Sequence, residues 1–164
     1  MQTLSAKTPP ESVKASNGGT DGECIALDTR FGRMEFDRQR CLTFPSGLVG
    51  FGSQLQYGLV AMPNEKLAPL MILQSIDEPS LAFVVRPYDP ATQWYKAKDI
   101  EEAIRQRKIA PEDSAVLLVT NFHRRDGQLF QSVNLRAPLL LDSTRLQAWQ
   151  DILPNDSYSV RFML

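Results

Sequence analysis

The residues of this chain that can do chemistry fall into a few short clusters, most of them acidic. Acidic neighbours stand at Asp77-Glu78, Glu101-Glu102 and Glu112-Asp113, and paired carboxylates act as general acid and base when burial separates their pKa values. Adjacent residues seldom share a cleft, because neighbours in a strand point to opposite faces and neighbours in a turn are solvated. Ser75, Asp77 and the single histidine, His123, supply the residue types of a hydrolytic triad. A triad is defined by geometry, however, and a chain of this size offers such a trio by chance. Gly47, Gly50 and Gly52 are spaced Gly-x-x-Gly-x-Gly, the reverse of a dinucleotide fingerprint and with no helical pattern after it, so they read as turn glycines. Neither Gly-Lys-Ser/Thr nor Gly-x-Ser-x-Gly occurs, which leaves no phosphate cradle and no nucleophile elbow. Cys24 and Cys41 make no ligand set with His123, so two free structural thiols, no bound metal and no cofactor are expected.

Composition narrows the partners. With 164 residues, 43% of them hydrophobic, the chain fits one globular domain. A net charge of -1 argues against a protein whose main affinity comes from neutralising phosphates, so direct nucleic-acid binding is not expected. No apolar run reaches the length of a membrane helix and the N-terminus lacks a signal-peptide core, which predicts a cytoplasmic protein with no membrane contact. Residues 1–22 are mainly Ser, Thr, Pro, Lys, Gly and Ala without apolar period, and read as a disordered extension ahead of a domain over residues 23–164.

Within that domain the apolar residues come in short runs. Cys24 to Thr29 and Arg33 to Asp37 alternate around Phe31-Gly32, a hairpin signal. Further strand candidates are Cys41–Phe44, Tyr57–Met62, Leu70–Gln74, Leu81–Val85, Ala115–Phe122, Leu129–Leu135, Leu139–Leu141, Leu146–Ile152 and Tyr158–Phe162. Strands of this length between Pro, Gly, Asn and Asp predict an all-β fold, a single antiparallel β-barrel-like domain with one or two short helices. The best helix signal has Asp99 as cap, Glu102 reaching back to it, and Ile100, Ala103 and Ile104 on one face, ending before Pro111. Arg105, Arg107 and Lys108 near its end suit the helix dipole. The segment Leu73 to Val85 sets two apolar runs around a polar turn containing Asp77, Glu78 and Pro79, a way of projecting charge from a rigid scaffold.

Four ordered motifs carry a resemblance. Thr29-Arg30-Phe31-Gly32, Phe44-Pro45-Ser46-Gly47-Leu48-Val49-Gly50-Phe51, Leu73 to Val85, and Asn134-Leu135-Arg136-Ala137-Pro138 are similar to the signatures of the FliW flagellar assembly factors, from about Leu27 to the C-terminus. Tyr95 and Gln147 also stand where that family carries Tyr and Gln. Ser46 departs from the family's usual acidic residue, and Ala148-Trp149 from its small β-branched pair.

The resemblance implies a non-enzymatic protein that acts as a switch between two protein partners. FliW proteins bind newly made cytoplasmic flagellin and, when free of it, bind and allosterically antagonise CsrA, the RNA-binding regulator that represses flagellin translation. Partner contacts are expected at Gln74, Ser75, Asp77, Glu78, Phe51, Phe83 and Asn134, and a monomer is the favoured state. Asp77 and Glu78 suit a basic partner such as CsrA, and Phe51 and Phe83 suit amphipathic helical segments of flagellin. Aromatics beside strands are more often core residues. The alternative reading is a small β-barrel that binds nucleic acid or a ligand, and a hydrolase with an unrecognised site is a second rival.

Overall fold

A computed structural model describes residues 23–164, and the extension expected at residues 1–22 lies outside them. The chain opens on a two-stranded hairpin, β1 (Cys24–Thr29) and β2 (Gly32–Asp37). There follow β3 (Leu42–Thr43), β4 (Gln56–Ala61), β5 (Met71–Ser75) and β6 (Ala82–Pro87), then α1 (Ala97–Gln106). The last five strands are β7 (Ser114–Arg125), β8 (Gln128–Val133), β9 (Leu139–Asp142), β10 (Gln147–Gln150) and β11 (Phe162–Met163). Strands β3 to β7, β10 and β9 bond in the order β7-β6-β5-β4-β3-β10-β9, and β9 pairs back onto β7, so these strands close a ring. All neighbours in it are antiparallel except β3 and β10, which run parallel through Gln147 and Thr43.

The near-continuous apolar runs follow from burial on both faces of the ring wall. Leu117, Leu139 and Leu141 point inward with Phe44, Leu48, Tyr57, Leu73 and Val85. Their strand neighbours Leu118 and Leu140 point outward and are covered by α1 and the C-terminal segment through Ile100, Ala103, Leu153 and Tyr158. A third cluster lies under the hairpin, where Phe36 packs with Cys41 and Ile76. Gly58 makes room for it: a β-carbon there would lie 2.1 Å from the Phe36 ring. Trp149 sits on the outer face among the α1 cluster, with the Arg107 guanidinium 5.7 Å above its ring, while Ala148 fills the interior.

The helix differs from the sequence expectation at its start. It begins at Ala97 with Lys96 as N-cap and no capping side chain. Asp99 sits inside the first turn, where its charge still suits the dipole, because its carboxylate is taken by Tyr158 Oη (2.6 Å) and Asn155 Nδ2 (3.1 Å). Glu102 pairs with Arg105 and Gln106 instead of reaching back. The strand expected over Tyr158–Phe162 is also different. Asn155 Oδ1 accepts from Ser157 N and Oγ and turns the chain there, and Tyr158 is buried against Tyr95 at 4.9 Å, leaving only Phe162–Met163 as strand. In the first hairpin Thr29 pairs with Gly32, so the tip is Arg30-Phe31.

Two outcomes follow. Gly58→Ala should destabilise the protein by about 1–3 kcal/mol through overpacking against Phe36, read as a shift of the urea midpoint, and much of that cost should disappear in a Phe36→Ala background. The Tyr158 hydroxyl, then the Asn155 amide, hold the Asp99 carboxyl below the usual carboxylate range. A depressed folded-state pKa stabilises the fold above the unfolded-state pKa, and that stabilisation is lost as pH falls through the folded one. Thermal unfolding should therefore rank wild type above Asp99→Asn at neutral pH, with the gap closing on acidification.

Candidate functional site

Two loops meet at one end of the ring. Residues 44–55 link β3 to β4, and residues 76–81 link β5 to β6, with Ile76 N donating to Gln56 O (3.0 Å) where the first connection ends and the second begins. The first loop folds back on itself through Gly47. At φ +65° a β-carbon there would lie 2.6 Å from Gly52 Cα and 2.7 Å from Phe51 O, so only glycine fits. Hydrogen bonds from Gly47 N to Phe44 O (2.9 Å) and from Phe51 N to Leu48 O (2.8 Å) fix the turn. Leu48 is thereby driven into the core, and Phe51, half-exposed, lies edge-on to Phe83 of β6 at 5.3 Å. Phe83 continues inward to Tyr57 at 6.4 Å, so the aromatic pair grows out of the barrel interior.

The second loop is held from beneath by a buried amide. Gln74 is fully buried, and its Nε2 donates to the carbonyls of Ser75 (2.9 Å), Pro79 (3.0 Å) and Leu81 (3.1 Å). A primary amide has only two hydrogens, so these three acceptors share them. Ser75, also fully buried, accepts from Glu78 N at 3.1 Å and donates to Gln54 Oε1 at 3.4 Å, tying the two loops together. Above this base the Glu78 carboxylate accepts from Ser80 Oγ (2.6 Å) and Ser80 N (3.2 Å). Those bonds, the hydroxyl first, hold its pKa below the usual value. Asp77 is exposed. A shallow cavity of about 330 Å³ lies between the loops, lined by Phe51, Gln54, Glu78, Ser80 and Leu81 among others.

The structure thus brings together six of the seven residues expected from sequence: Gln74, Ser75, Asp77, Glu78, Phe51 and Phe83. Asn134 stands apart on the segment after β8, where its Oδ1 accepts from Ala137 N at 3.0 Å and shapes a turn. The sequence reading missed Gln54 and Ser80, the bracing partners, and Arg30. From the tip of the first hairpin, Arg30 Nη2 donates to Ala82 O (2.8 Å) at the start of β6. The Ser75, His123 and Asp77 trio is not assembled, since His123 contacts Ser132 Oγ and Arg161 while Ser75 serves Gln54 and Glu78. Among the described residues no three His, Cys, Asp or Glu side chains converge as a metal site. Cys24 and Cys41 are both free, and burial raises the Cys41 thiol. No helix among the described residues is long and apolar enough to cross a membrane.

This geometry has counterparts. The model of the FliW protein family matches residues 26–164. A flagellar assembly factor FliW of Syntrophotalea carbinolica is 33% identical over 138 residues, 83% of this chain and 94% of that protein. A flagellar assembly factor FliW 2 of Desulfotalea psychrophila is 31% identical over 82% of this chain and 87% of its own length. The crystal structure of a flagellar assembly factor FliW superposes with a TM-score of 0.65 over 85% of this chain and 95% of that one, at 24% identity, and shares its fold. With the family model spanning the whole closed ring and both loops of the site, the chain belongs to the FliW family of flagellar assembly factors.

Proposed function

We propose that this chain is a non-enzymatic cytoplasmic switch that binds flagellin and, when flagellin is scarce, binds a CsrA-type regulator and relieves its repression of flagellin synthesis. The observation that supports this reading is the pairing of two chemistries at one end of the ring. An acidic tip, Asp77 and Glu78, stands on a braced loop beside the half-exposed Phe51 and Phe83 pair. An RNA-binding regulator is basic, so an acidic rim speeds its approach and orients it. An amphipathic segment that folds on binding needs an apolar seat, which the aromatic pair provides.

In this reading the residues divide by role. Asp77 and Glu78 meet the basic partner, and Phe51 and Phe83 meet the apolar one. Gln74 and Ser75 are positioning residues that keep the loop in one shape before binding, which lowers the entropy lost on association. Asn134 positions the Asn134–Ala137 turn. Mutual exclusion of the partners follows from the closeness of the two surfaces, because Phe51 and Glu78 line the same cavity.

Reversing Asp77 and Glu78 to Lys should leave the unfolding midpoint near that of wild type, since both side chains are exposed. The affinity for CsrA should fall about tenfold or more at low salt, chiefly through slower association, and the loss should shrink as salt rises. Flagellin binding should change less. Surface plasmon resonance with both partners at two salt concentrations reads all of this, and a folded variant with unaltered CsrA binding at both would remove these residues from the site.

A further inference from the structure

The same end of the sheet carries a second surface of opposite charge, which the proposed switch does not use. Strand β7 outruns the ring: its first half pairs with β9 and its second half, Thr120–Arg125, with β8. Strand β11 adds to the far side of β8, so these three strands form a ribbon beside the barrel. Because β6 and β7 are antiparallel, the tip of this ribbon lies at the end of the sheet that also carries Asp77 and Glu78. Register puts His123 opposite Phe130 and Ser132 opposite Met163, and these side chains share one face. On this face His123, Phe130 and Met163, with Arg125 and Arg161, line an open cavity of about 500 Å³, at whose edge Arg124 stands although it alternates to the other face of the strand.

The charge here is unbalanced and partly pre-ordered. Arg125 reaches only its neighbour Asp126, at 3.9 Å, and both are exposed. Neither Arg124 nor Arg161 pairs with a carboxylate among the described residues. Arg161 Nη2 instead lies 2.8 Å from His123 Nδ1, and His123 Nε2 lies 2.6 Å from Ser132 Oγ. A guanidinium only donates, so Nδ1 is the acceptor and Nε2 carries the proton toward the fully buried Ser132. The Arg161 head group is thus aimed by a chain of contacts rooted in the sheet. Charges on edge strands commonly serve only to deter pairing, but a deterrent charge does not need its head group fixed.

We propose that this ribbon face docks an acidic segment of a protein partner that also carries apolar side chains. Carboxylates would meet Arg125 and Arg161 in charge-assisted hydrogen bonds, and apolar side chains would lie on Phe130 and Met163. Protein is favoured over nucleic acid because the cavity has apolar walls and because the whole chain, at net charge -1, does not attract a long polyanion. The proposal is independent of the CsrA and flagellin assignments.

Fluorescence anisotropy with the full chain tests it, using a labelled peptide of about ten residues that alternates Glu and Leu, long enough to lie along a strand. The Glu-Leu peptide should bind, and a Lys-Leu counterpart should not. Arg125→Glu with Arg161→Glu should weaken binding about tenfold or more, whereas Arg124→Glu, on the other face of the strand, should not. Lys66→Glu with Lys98→Glu, an equal change of net charge on other surfaces, should leave it intact. Circular dichroism verifies that each variant is folded. Failure of the Glu-Leu peptide to bind, equal losses in the control variant, or equally tight binding of a single-stranded oligonucleotide would each overturn the proposal.

Discussion

The architecture depends on one strand having two sets of partners. Twelve residues long, β7 outlasts its place in the ring. Its first four residues close the barrel against β9, and its last six carry β8. A shorter strand would make a simple closed ring with no edges to protect. The extra length instead adds a ribbon, and the same hydrogen-bonded ladder fixes where that ribbon stands relative to the loops over the barrel mouth. Burial then sorts the side chains. Leu117 fills the barrel and Leu118 the cover beneath α1, so one strand organises two cores and an exposed face.

Rigidity at the site comes from buried polar groups that face the backbone. Gln74 gathers three carbonyls under one loop, and Ser75 joins that loop to its neighbour. Leaving such groups unpartnered in apolar surroundings is costly, so the bonds made by Gln74 Nε2 and Ser75 fix the loops firmly. The Gln74 Oε1 and the Tyr57 hydroxyl have no partner among the described residues. Burial pushes the Tyr57 hydroxyl up to about 12, so it stays a neutral phenol inside the barrel at any physiological pH. The aromatic line from Phe51 through Phe83 to Tyr57 therefore contains no charge, and the charged groups of the mouth are confined to its rim.

Much of this was legible in the residues because the signals were local. Alternation in Cys24–Thr29 and the apolar runs of β5, β6 and β9 record burial directly, and the Asp77-Glu78-Pro79 turn announces its exposure. Where long-range contacts decide, the sequence is silent or misleading. Asp99 looks like a cap until Tyr158 and Asn155, far along the chain, claim its oxygens. The parallel pairing of β3 with β10 rests on a single register pair between distant segments, which no local pattern encodes. The basic face was hidden for the same reason, since Arg161 and His123 become neighbours only once β11 is laid against β8.

The first hairpin is a separate sheet and shares no strand pairing with the ring among the described residues. It is held by the Phe36 ring over Gly58, by the small cluster around it, and by the bond from Arg30 to Ala82. Attachment through side chains alone lets such an element open as a unit without breaking any ladder of the barrel. Amide exchange would then divide into two lifetimes, a short one for β1 and β2 and a long one for the ring. Because Arg30 grips the first residue of β6, each opening would also free the root of the loop that bears Asp77 and Glu78, coupling the breathing of the hairpin to the shape of the acidic tip.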